Sequence, residues 1–317
     1  MEEIKVPIYL ITGFLESGKT SFLSFTLQQD YFQVEGKTLL ILCEEGEEEY
    51  DEEALKKSNT VVEVIDSEEE LTPERLAAMD ILHQPERVII EYNGMWLVSN
   101  FEKTQLPTGW GVEQQITCVD GSTFQMYMAN MKSIFMDMIK NTDMVIFNRC
   151  KKEDPLPTYR RGIKVANQRA EVIFEDEEGE LGDIFQDEMP FDMNAPVIEI
   201  LPEDYGIWFV DAMDHPENYE GKTVKFKARV MKPRGMGSKF FVPGRTAMTC
   251  CADDTTFLGY VCKSAYAPKL TPGEWVEVTA KVGIEKRNEY QGEEGIVLDA
   301  EHVEQCDPLE DEMVYFN

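Results

Sequence analysis

The first half of the chain alternates short apolar runs with segments whose apolar residues recur at helical spacing. The apolar runs lie at 6–12, 37–43, 60–65, 87–90, 115–119 and 144–147. Continuous apolar, β-branched runs are typical of parallel strands that are covered on both faces. Strands that alternate with helices therefore predict a doubly wound parallel sheet, an α/β architecture, for this half.

The second half changes to a period of two. Apolar residues alternate with basic or polar ones through 223–231 and again through 276–282, as in half-buried antiparallel strands. Further strands are predicted at 240–242, 247–252, 257–262 and 295–300, after a helix at 203–213. About five short strands separated by Gly and Pro turns predict a small all-β, OB-like barrel.

The charge distribution and the positions of the prolines indicate the same domain boundary. The net charge is −31, yet it is uneven: 44–53 carry eight carboxylates and 171–188 carry nine, with no base in either segment. In contrast, 221–287 carry 13 Lys or Arg against five Asp or Glu. Prolines cluster between 190 and 216. We therefore predict an α/β domain at 1–190, a linker and helix at 191–220, and the barrel domain at 221–317.

Composition excludes several classes of protein. Hydrophobic residues make up 43% of the chain, enough to fill a core, so wholesale disorder is excluded. No apolar run approaches the ~18 residues that span a bilayer, and the N-terminal stretch lacks the features of a secretory signal, so we expect a cytoplasmic protein. Seven scattered cysteines without a CxxC pair predict neither a disulfide framework nor a standard zinc site. Nucleic acid is not expected as a partner of so acidic a chain.

A phosphate-binding pattern follows the first strand. Residues 13–20 read GFLESGKT, which is GxxxxGK[ST] between a predicted strand and a predicted helix. The glycines let backbone N–H groups point at phosphate oxygens, Lys19 neutralises the β- and γ-phosphates, and the Thr20 hydroxyl reaches Mg²⁺. The residues predicted to bind the nucleotide here are Gly13, Glu16, Ser17, Gly18, Lys19, Thr20 and Ser21.

A second strand completes this P-loop NTPase pattern. The apolar run at 87–90 ends in Glu91, which places a carboxylate beside Mg²⁺ or its water at the carboxyl edge of the sheet. Gly94 lets the backbone approach the γ-phosphate. The fold class is therefore a doubly wound P-loop NTPase domain followed by an OB-like barrel.

The phosphate loop resembles the GFLGSGKT loop of the CobW-type GTPases, a SIMIBI-class P-loop family associated with metal delivery. Residues 43–47 with Tyr50-Asp51 resemble that family's switch segment, NEFGE followed by a hydrophobic-Asp pair. Residues 91–94 match its ExxG, Asn148 falls where its base-reading Asn-Lys-x-Asp begins, and 163–170 resemble its closing helix. The resemblance covers about residues 5–175.

The resemblance implies roles for individual residues. Lys19, Glu91 and Asp51 would be catalytic, and Gly94 and Asn148 would contact the nucleotide. The implied Mg²⁺ ligands are Thr20, Glu44, Asp51 and Glu91. The other acids around them, Glu48, Glu49, Glu52 and Glu53, are interpreted as a solvated face.

Three departures from the family pattern affect these expectations. Glu16 replaces a loop glycine, and the family's Cys-x-Cys-Cys segment is missing from 59–72. Lys151 stands where the guanine-reading Asp is expected, and Asp154 comes three places late. The choice between GTP and ATP therefore stays open, and the usual zinc relay lacks its ligands.

The second half resembles the C-terminal domain of the YcgQ-type family, the partners of a predicted permease, at 219–230, 245–262 and 273–282. Cys250 and Cys251 are a candidate metal pair, but adjacent strand residues point to opposite faces, so core filling is the favoured interpretation.

A basic strand face forms a second candidate surface in this half. Its members are Lys225, Lys227 and Arg229, with Phe240, Phe241, Tyr260 and Tyr266 as available aromatics. This face could bind single-stranded nucleic acid or dock on the acidic domain, and docking is favoured.

Two functional hypotheses result. The leading one is a slow, Mg²⁺-dependent nucleoside triphosphatase that uses GTP or ATP and serves metal homeostasis, with Zn²⁺ or another transition metal as a further ligand. Its partners would be a protein client or transporter component, with homo-oligomerisation as an option. The competing one is a nucleotide-binding adaptor with little turnover, whose barrel recognises a transporter component or an oligonucleotide.

Overall fold

The computed structural model describes residues 4–44, 46, 48–181, 189–248 and 255–314. The chain divides into two compact units, 1–156 with 166–183, and 157–165 with 184–317. Each unit has its own sheet. Within the described residues, no helix is both long and apolar enough to cross a membrane.

The first unit is built on an eight-stranded sheet in the order β3-β2-β4-β1-β5-β6-β7-β8. All neighbours are parallel except the antiparallel pair β7–β8. The strands are β1 Val6–Thr12, β2 Thr38–Leu42, β3 Thr60–Val64, β4 Arg87–Glu91, β5 Trp110–Asp120, β6 Met144–Asn148, β7 Glu171–Asp176 and β8 Gly179–Glu180. The helices are α1 Lys19–Thr26, α2 Glu52–Lys57, α3 Pro73–His83, α4 Val98–Phe101, α5 Phe124–Ile139 and α6 Leu156–Ala166. Residues 157–165 of α6 cluster with the second unit.

The central strands explain why the sheet forms as the apolar pattern predicts. All five residues of β4 are buried, and Ile8, Leu10 and Ile11 of β1 are at most 1% exposed. Strands buried on both faces have no polar side to turn to water, so they take the middle of the sheet. The strand order reverses at β1, and in doubly wound sheets the crevice at such a switch point is where ligands bind. The predicted α/β architecture is confirmed.

The second unit contains a closed five-stranded barrel. Around the ring β10 pairs with β11, β11 with β13, β13 with β15, β15 with β14, and β14 with β10. Only β13–β15 is parallel in this ring. The strands of this unit are β9 Ile198–Glu199, β10 Thr223–Met231, β11 Phe240–Met248, β12 Thr255–Gly259, β13 Val261–Lys263, β14 Trp275–Lys286, β15 Glu294–Gln305 and β16 Met313–Val314. The predicted OB-like barrel is confirmed.

A helix and several aromatic rings fill the core of this unit. In α7, Tyr205–Asp214, the indole of Trp208 lies 4.8 Å from the ring of Phe226 and 5.6 Å from that of Tyr260, and none of its surface is exposed. The alternation predicted for 223–231 is present, because Val224, Phe226, Ala228 and Val230 are all buried.

Some element boundaries differ from the sequence predictions. The helix expected at 163–170 is α6, which starts at Leu156 and ends at Ala166. The strands expected at 240–242 and 247–252 are one strand as far as Met248, beyond which 249–252 lie outside the described residues. The strand expected at 257–262 is interrupted at Tyr260, whose hydroxyl donates to the Phe209 carbonyl inside the core. The packing of the Tyr260 ring in the core is therefore accompanied by a break in the strand, although the sequence pattern is continuous.

Candidate nucleotide-binding site

The phosphate loop connects β1 to α1 in a conformation that glycine makes possible. Gly18 takes a φ of 90° immediately before the helix, in the left-handed region that favours glycine. A side chain at Gly13 would place its Cβ 2.3 Å from the Cys118 carbonyl oxygen. The first backbone N–H groups of α1 have no partner within the helix and no side-chain cap. The loop therefore presents a set of free donors suited to an anion.

Glu16 adopts a left-handed conformation with a φ of 62°. That region costs a residue with a Cβ about 1–2 kcal/mol, so the glycine expected from the family pattern has a physical reason. Glu16 is exposed and lines the cavity beside the loop.

Lys19 is buried and bound by three oxygen atoms. Its Nζ donates to the carbonyl oxygens of Gly13 and Phe14, both at 2.9 Å, and to Glu44 Oε2 at 2.6 Å. The other carboxylate oxygen, Glu44 Oε1, accepts from the Gly94 N–H at 3.2 Å. One carboxylate therefore occupies both donors that the sequence analysis assigned to the γ-phosphate. We call this arrangement the Glu44 bridge.

Glu91 lies at the carboxyl end of β4, between the ends of β1 and β2. The Thr20 hydroxyl donates to Glu91 Oε1 at 2.8 Å, and the Tyr50 hydroxyl donates to Oε2. Burial raises the pKa of Glu91, while the hydrogen bonds from Tyr50 and Thr20 and the charge of Lys19 oppose this shift. A hydroxyl and a carboxylate this close are oxygen donors of the kind that Mg²⁺ prefers together with phosphate oxygens and water. The donors present fit Mg²⁺.

The residues predicted to lie near the base are found at the end of β6 and in the loop that follows it. Asn148 Nδ2 donates to the Ser17 carbonyl at 2.7 Å, so this side chain fastens the phosphate loop. Its Oδ1 and the Ser17 hydroxyl are buried without a hydrogen-bond partner among the described residues. Lys151 is exposed, and its backbone N–H donates to Asp154 Oδ2 at 2.8 Å. Asp154 therefore accepts a hydrogen bond from the backbone of Lys151, the residue that stands where the guanine-reading aspartate was expected.

Seven of the fourteen predicted site residues line one cavity of about 320 Å³. Lys19, Thr20, Glu44 and Glu91 line it, together with Glu16, Gly18 and Ser21 of the loop. Asp51 is placed differently: it is exposed and caps α2 by accepting from the Glu53 N–H at 2.9 Å. Its assignment to catalysis and Mg²⁺ stays a prediction.

Sequence reasoning missed three side chains that line this cavity or contact its lining residues. Tyr50 bonds Glu91, and Glu48, interpreted as part of a solvated face, accepts from the Ser21 hydroxyl. Arg149 lines the cavity and is held by the Glu16 carbonyl at 3.0 Å and by Asp120 at 2.6 Å. The position of Arg149 directly after Asn148 was the signal in the sequence that could have identified it. The contact between Tyr50 and Glu91 could be found only in the folded structure.

No cysteine among the described residues lines the cavity. Burial raises the pKa of Cys43 and of Cys118 to about 12 each, so both thiols stay protonated at neutral pH. No group of three or more His, Cys, Asp or Glu that could hold a metal occurs among the described residues. Cys250 and Cys251 lie outside the described residues, so neither the candidate metal pair nor the favoured core-filling interpretation is tested.

The basic strand face of the barrel differs from expectation. Lys225 Nζ pairs with Glu277 at 2.9 Å and Arg229 reaches Glu312 at 3.9 Å, so acids of the same unit partly neutralise this face. The prediction that four aromatic rings are available on this face is wrong for two of them, because Phe241 and Tyr260 are buried at 0% and 5% exposure. These two rings pack in the core of the barrel. Of the four, Phe240 and Tyr266 reach the surface.

The loop, the lysine and the paired hydroxyl and carboxylate at the switch point of a parallel sheet define a P-loop nucleotide-binding protein. Comparison with family models agrees: the nucleotide-binding domain of CobW/HypB/UreG matches residues 7–174, and the chain belongs to this family. The DUF1980 C-terminal domain matches residues 180–316. No curated protein shows significant sequence similarity to the chain.

Solved structures give more distant matches. The Zn(II)-bound YjiA GTPase from E. coli is 15% identical, with 82% of this chain and 89% of that chain covered and a TM-score of 0.44. HypB from Helicobacter pylori in complex with nickel is 14% identical, with 55% of this chain and 80% of that chain covered and a TM-score of 0.34. The mitochondrial single-stranded DNA binding protein Rim1 from S. cerevisiae is 10% identical, with 28% and 97% covered and a TM-score of 0.18. At these values the likenesses carry no functional argument.

Proposed function

We propose that the chain binds a nucleoside triphosphate, GTP or ATP, with Mg²⁺ at the phosphate loop, hydrolyses it slowly, and couples this cycle to metal homeostasis through a partner protein. The observation that carries the proposal is the convergence of Lys19, Thr20 and Glu91 on one cavity at the N-terminus of α1. These residues would supply the three groups that phosphoryl transfer needs: a cation that binds the phosphates, a hydroxyl that binds Mg²⁺, and a carboxylate beside the Mg²⁺.

Binding requires the Glu44 bridge to open. Phosphate oxygens would replace the Glu44 carboxylate on Lys19 Nζ and on the Gly94 N–H, while the loop amides hold the other phosphate oxygens. Thr20 and Glu91 would hold Mg²⁺, which supplies neutralisation of the charge that develops on the phosphates. Glu91 would also orient the attacking water.

Slow turnover follows from the arginine at the cavity. A free arginine that reaches the transferring phosphoryl group raises the rate by about 10³–10⁵. Arg149, the arginine that lines the described cavity, is held by Asp120 and the Glu16 carbonyl. Fast hydrolysis would therefore require a partner to supply or release such a group.

The metal-related part of the proposal rests on membership of the CobW/HypB/UreG family. A transition metal would have to use ligands from the segments outside the described residues, from a partner protein, or from the acids at the cavity.

Thermal unfolding with a panel of nucleotides tests the proposal. A ligand at about 100 times its Kd stabilises the folded state by about 2.7 kcal/mol, so GTP or ATP with Mg²⁺ should raise the Tm by several degrees. Lys19→Ala should abolish this shift. Lys56→Ala, which removes an exposed lysine from a helix of the same unit, is the control and should keep the shift. An equal shift for Lys19→Ala and wild type would contradict the proposal.

The second candidate is a nucleotide-binding adaptor without appreciable turnover. The Glu44 bridge favours it, because a protein whose own carboxylate holds Lys19 has a stable nucleotide-free state. Phosphate release separates the two candidates: no Mg²⁺-dependent release above background from either nucleotide identifies the adaptor.

A further inference from the structure

We propose that the barrel binds single-stranded nucleic acid on a basic rim formed by Arg234, Lys239, Lys263, Lys269 and Lys286. This inference is independent of the nucleotide site and departs from our expectation that nucleic acid is not a partner. All five side chains are exposed, and none forms an ion pair with a described residue. Exposed cations that lack acidic partners among the described residues favour a polyanion as ligand.

The topology places the rim where barrels of this type bind oligonucleotides. OB folds use the face of their second and third strands and the loops that follow the first and fourth strands. In this ring the second and third strands are β11 and β13, and the two loops are 232–239 and 287–293. An open groove of about 540 Å³ lies between them, with residues 233–236 on one side and 286–289 on the other.

The contacts tie the cations to this face. Lys263 is the register partner of Phe240 across β11–β13, and because Phe241 and Cys262 are buried, both neighbours lie on the outer face. The Ser264 N–H donates to the Lys239 carbonyl at 2.9 Å, which places the Lys239 backbone one position along from the Phe240–Lys263 pair. Arg287 stacks over Phe240 at 4.3 Å, joining the second loop to the same surface.

The remaining cations and one aromatic extend the surface. Lys232 donates to the carbonyl oxygens of Ala267 and Leu270, both at 2.6 Å, and so fixes the first loop to the segment that carries Tyr266 and Lys269. Tyr266 is 50% exposed, with Lys269 Nζ 5.9 Å from its ring centre. A half-exposed ring with a cation beside it offers a stacking surface that only unpaired bases can use.

Acids near the rim reduce its positive charge without cancelling it. Glu289 lines the groove and pairs with Arg287 at 2.9 Å, and Glu285 lies 3.7 Å from the same guanidinium. Three more acids are exposed nearby: Glu293, Glu294, which is the register partner of Lys286, and Asp299, which is the register partner of Lys263. Among the described residues none of these three forms an ion pair with the rim, and the five cations of the rim outnumber them. A small local surplus of positive charge therefore remains within a chain of net charge −31.

Fluorescence anisotropy on the full chain tests the proposal. Labelled oligo-dT and oligo-rU of about 20 nucleotides are titrated at low salt, and a duplex of equal length and vesicles with anionic lipid are titrated in parallel. We expect one or both single strands to bind more tightly than the duplex. The slope of log K against log salt should be about −0.7 for each phosphate contacted.

Two variants and two matched controls make the test specific. The triple charge reversal Arg234→Glu, Lys263→Glu and Lys286→Glu should abolish binding. Lys37→Glu, Lys103→Glu and Lys140→Glu, which change the net charge equally at exposed positions of the first unit, should retain most of it. Tyr266→Ala should weaken binding about five- to a hundredfold, whereas Tyr31→Ala, 79% exposed in the first unit, should not.

Three outcomes overturn the proposal. They are no binding of either single strand by wild-type protein at low salt, equal loss in both triple variants, and binding of duplex or anionic vesicles in preference to single strands. Circular dichroism of each variant confirms that the barrel is folded. If a triple variant unfolds, the single changes Lys263→Gln and Lys286→Gln replace it, each with an expected reduction of the salt slope by about 0.7.

Discussion

Glu44→Gln is the most informative single change at the nucleotide site, because it removes one charge and almost no volume. The Lys19–Glu44 pair has an N–O distance of 2.6 Å, with side-chain exposures of 3% and 10%. Hydrogen bonds to charged groups at such positions contribute about 1.5–3 kcal/mol. We expect the nucleotide-free variant to lose about 2 kcal/mol of stability. This corresponds to a fall in Tm of about 4–8 °C for a unit of this size.

The same change should strengthen triphosphate binding. If the Glu44 bridge must open before phosphate reaches Lys19, then an interaction of about 2 kcal/mol no longer opposes binding in the variant. At 1.4 kcal/mol per factor of ten, the affinity rises by about 30-fold. The gain in affinity should be smaller for the diphosphate. It lacks the γ-phosphate, which would replace Glu44 on the Gly94 N–H in addition to Lys19.

Isothermal titration with tri- and diphosphates, with and without Mg²⁺, measures both effects. Glu48→Gln is the matched control: Glu48 lines the same cavity and binds Ser21, but it does not touch Lys19, so the affinity should change by less than about threefold. A fall in triphosphate affinity for Glu44→Gln would refute this reasoning. It would mean that Glu44 serves the bound state, as the resemblance to the family's switch segment implies.

The remaining predictions concern neighbouring residues. Because burial raises the pKa of Glu91, its contribution to stability is present at low pH and is lost as pH rises through the raised value. Glu91→Gln should therefore raise the Tm of the nucleotide-free protein at neutral pH and remove stabilisation by Mg²⁺ with nucleotide. Gly94→Ala would place a Cβ 2.6 Å from the Gly13 carbonyl oxygen and should destabilise the loop by about 1–3 kcal/mol. Gly162→Ala, in a helix with nothing within 4 Å, should stabilise by about 0.5–1 kcal/mol; chemical denaturation measures both. Lys151→Asp should shift the GTP-to-ATP affinity ratio toward GTP in direct titrations, and an unchanged ratio would mean that Lys151 does not face the base.

The sequence predicted much of the fold because its strongest signals are local. The apolar runs at β1, β2 and β4 and the alternation in β10 each depend on neighbours within a few residues. The phosphate loop was predictable for the same reason, since the glycine and lysine spacing defines one short turn. Boundaries were less accurate where a distant partner decides them, as at Tyr260, whose buried hydroxyl interrupts a strand pattern.

By itself, the sequence determined that this chain combines a P-loop domain with a barrel, and it predicted which residues would carry phosphate and Mg²⁺ chemistry. Only the tertiary structure decided how these residues are engaged. Glu44 lies 25 positions from Lys19 and 50 from Gly94, and it meets both because parallel strands bring their carboxyl ends to one edge of the sheet. In the same way, ring closure of the barrel assigned Phe241 and Tyr260 to the core and gathered distant lysines on one rim. Residue type fixes what a side chain can do, but long-range packing fixes which neighbours it has.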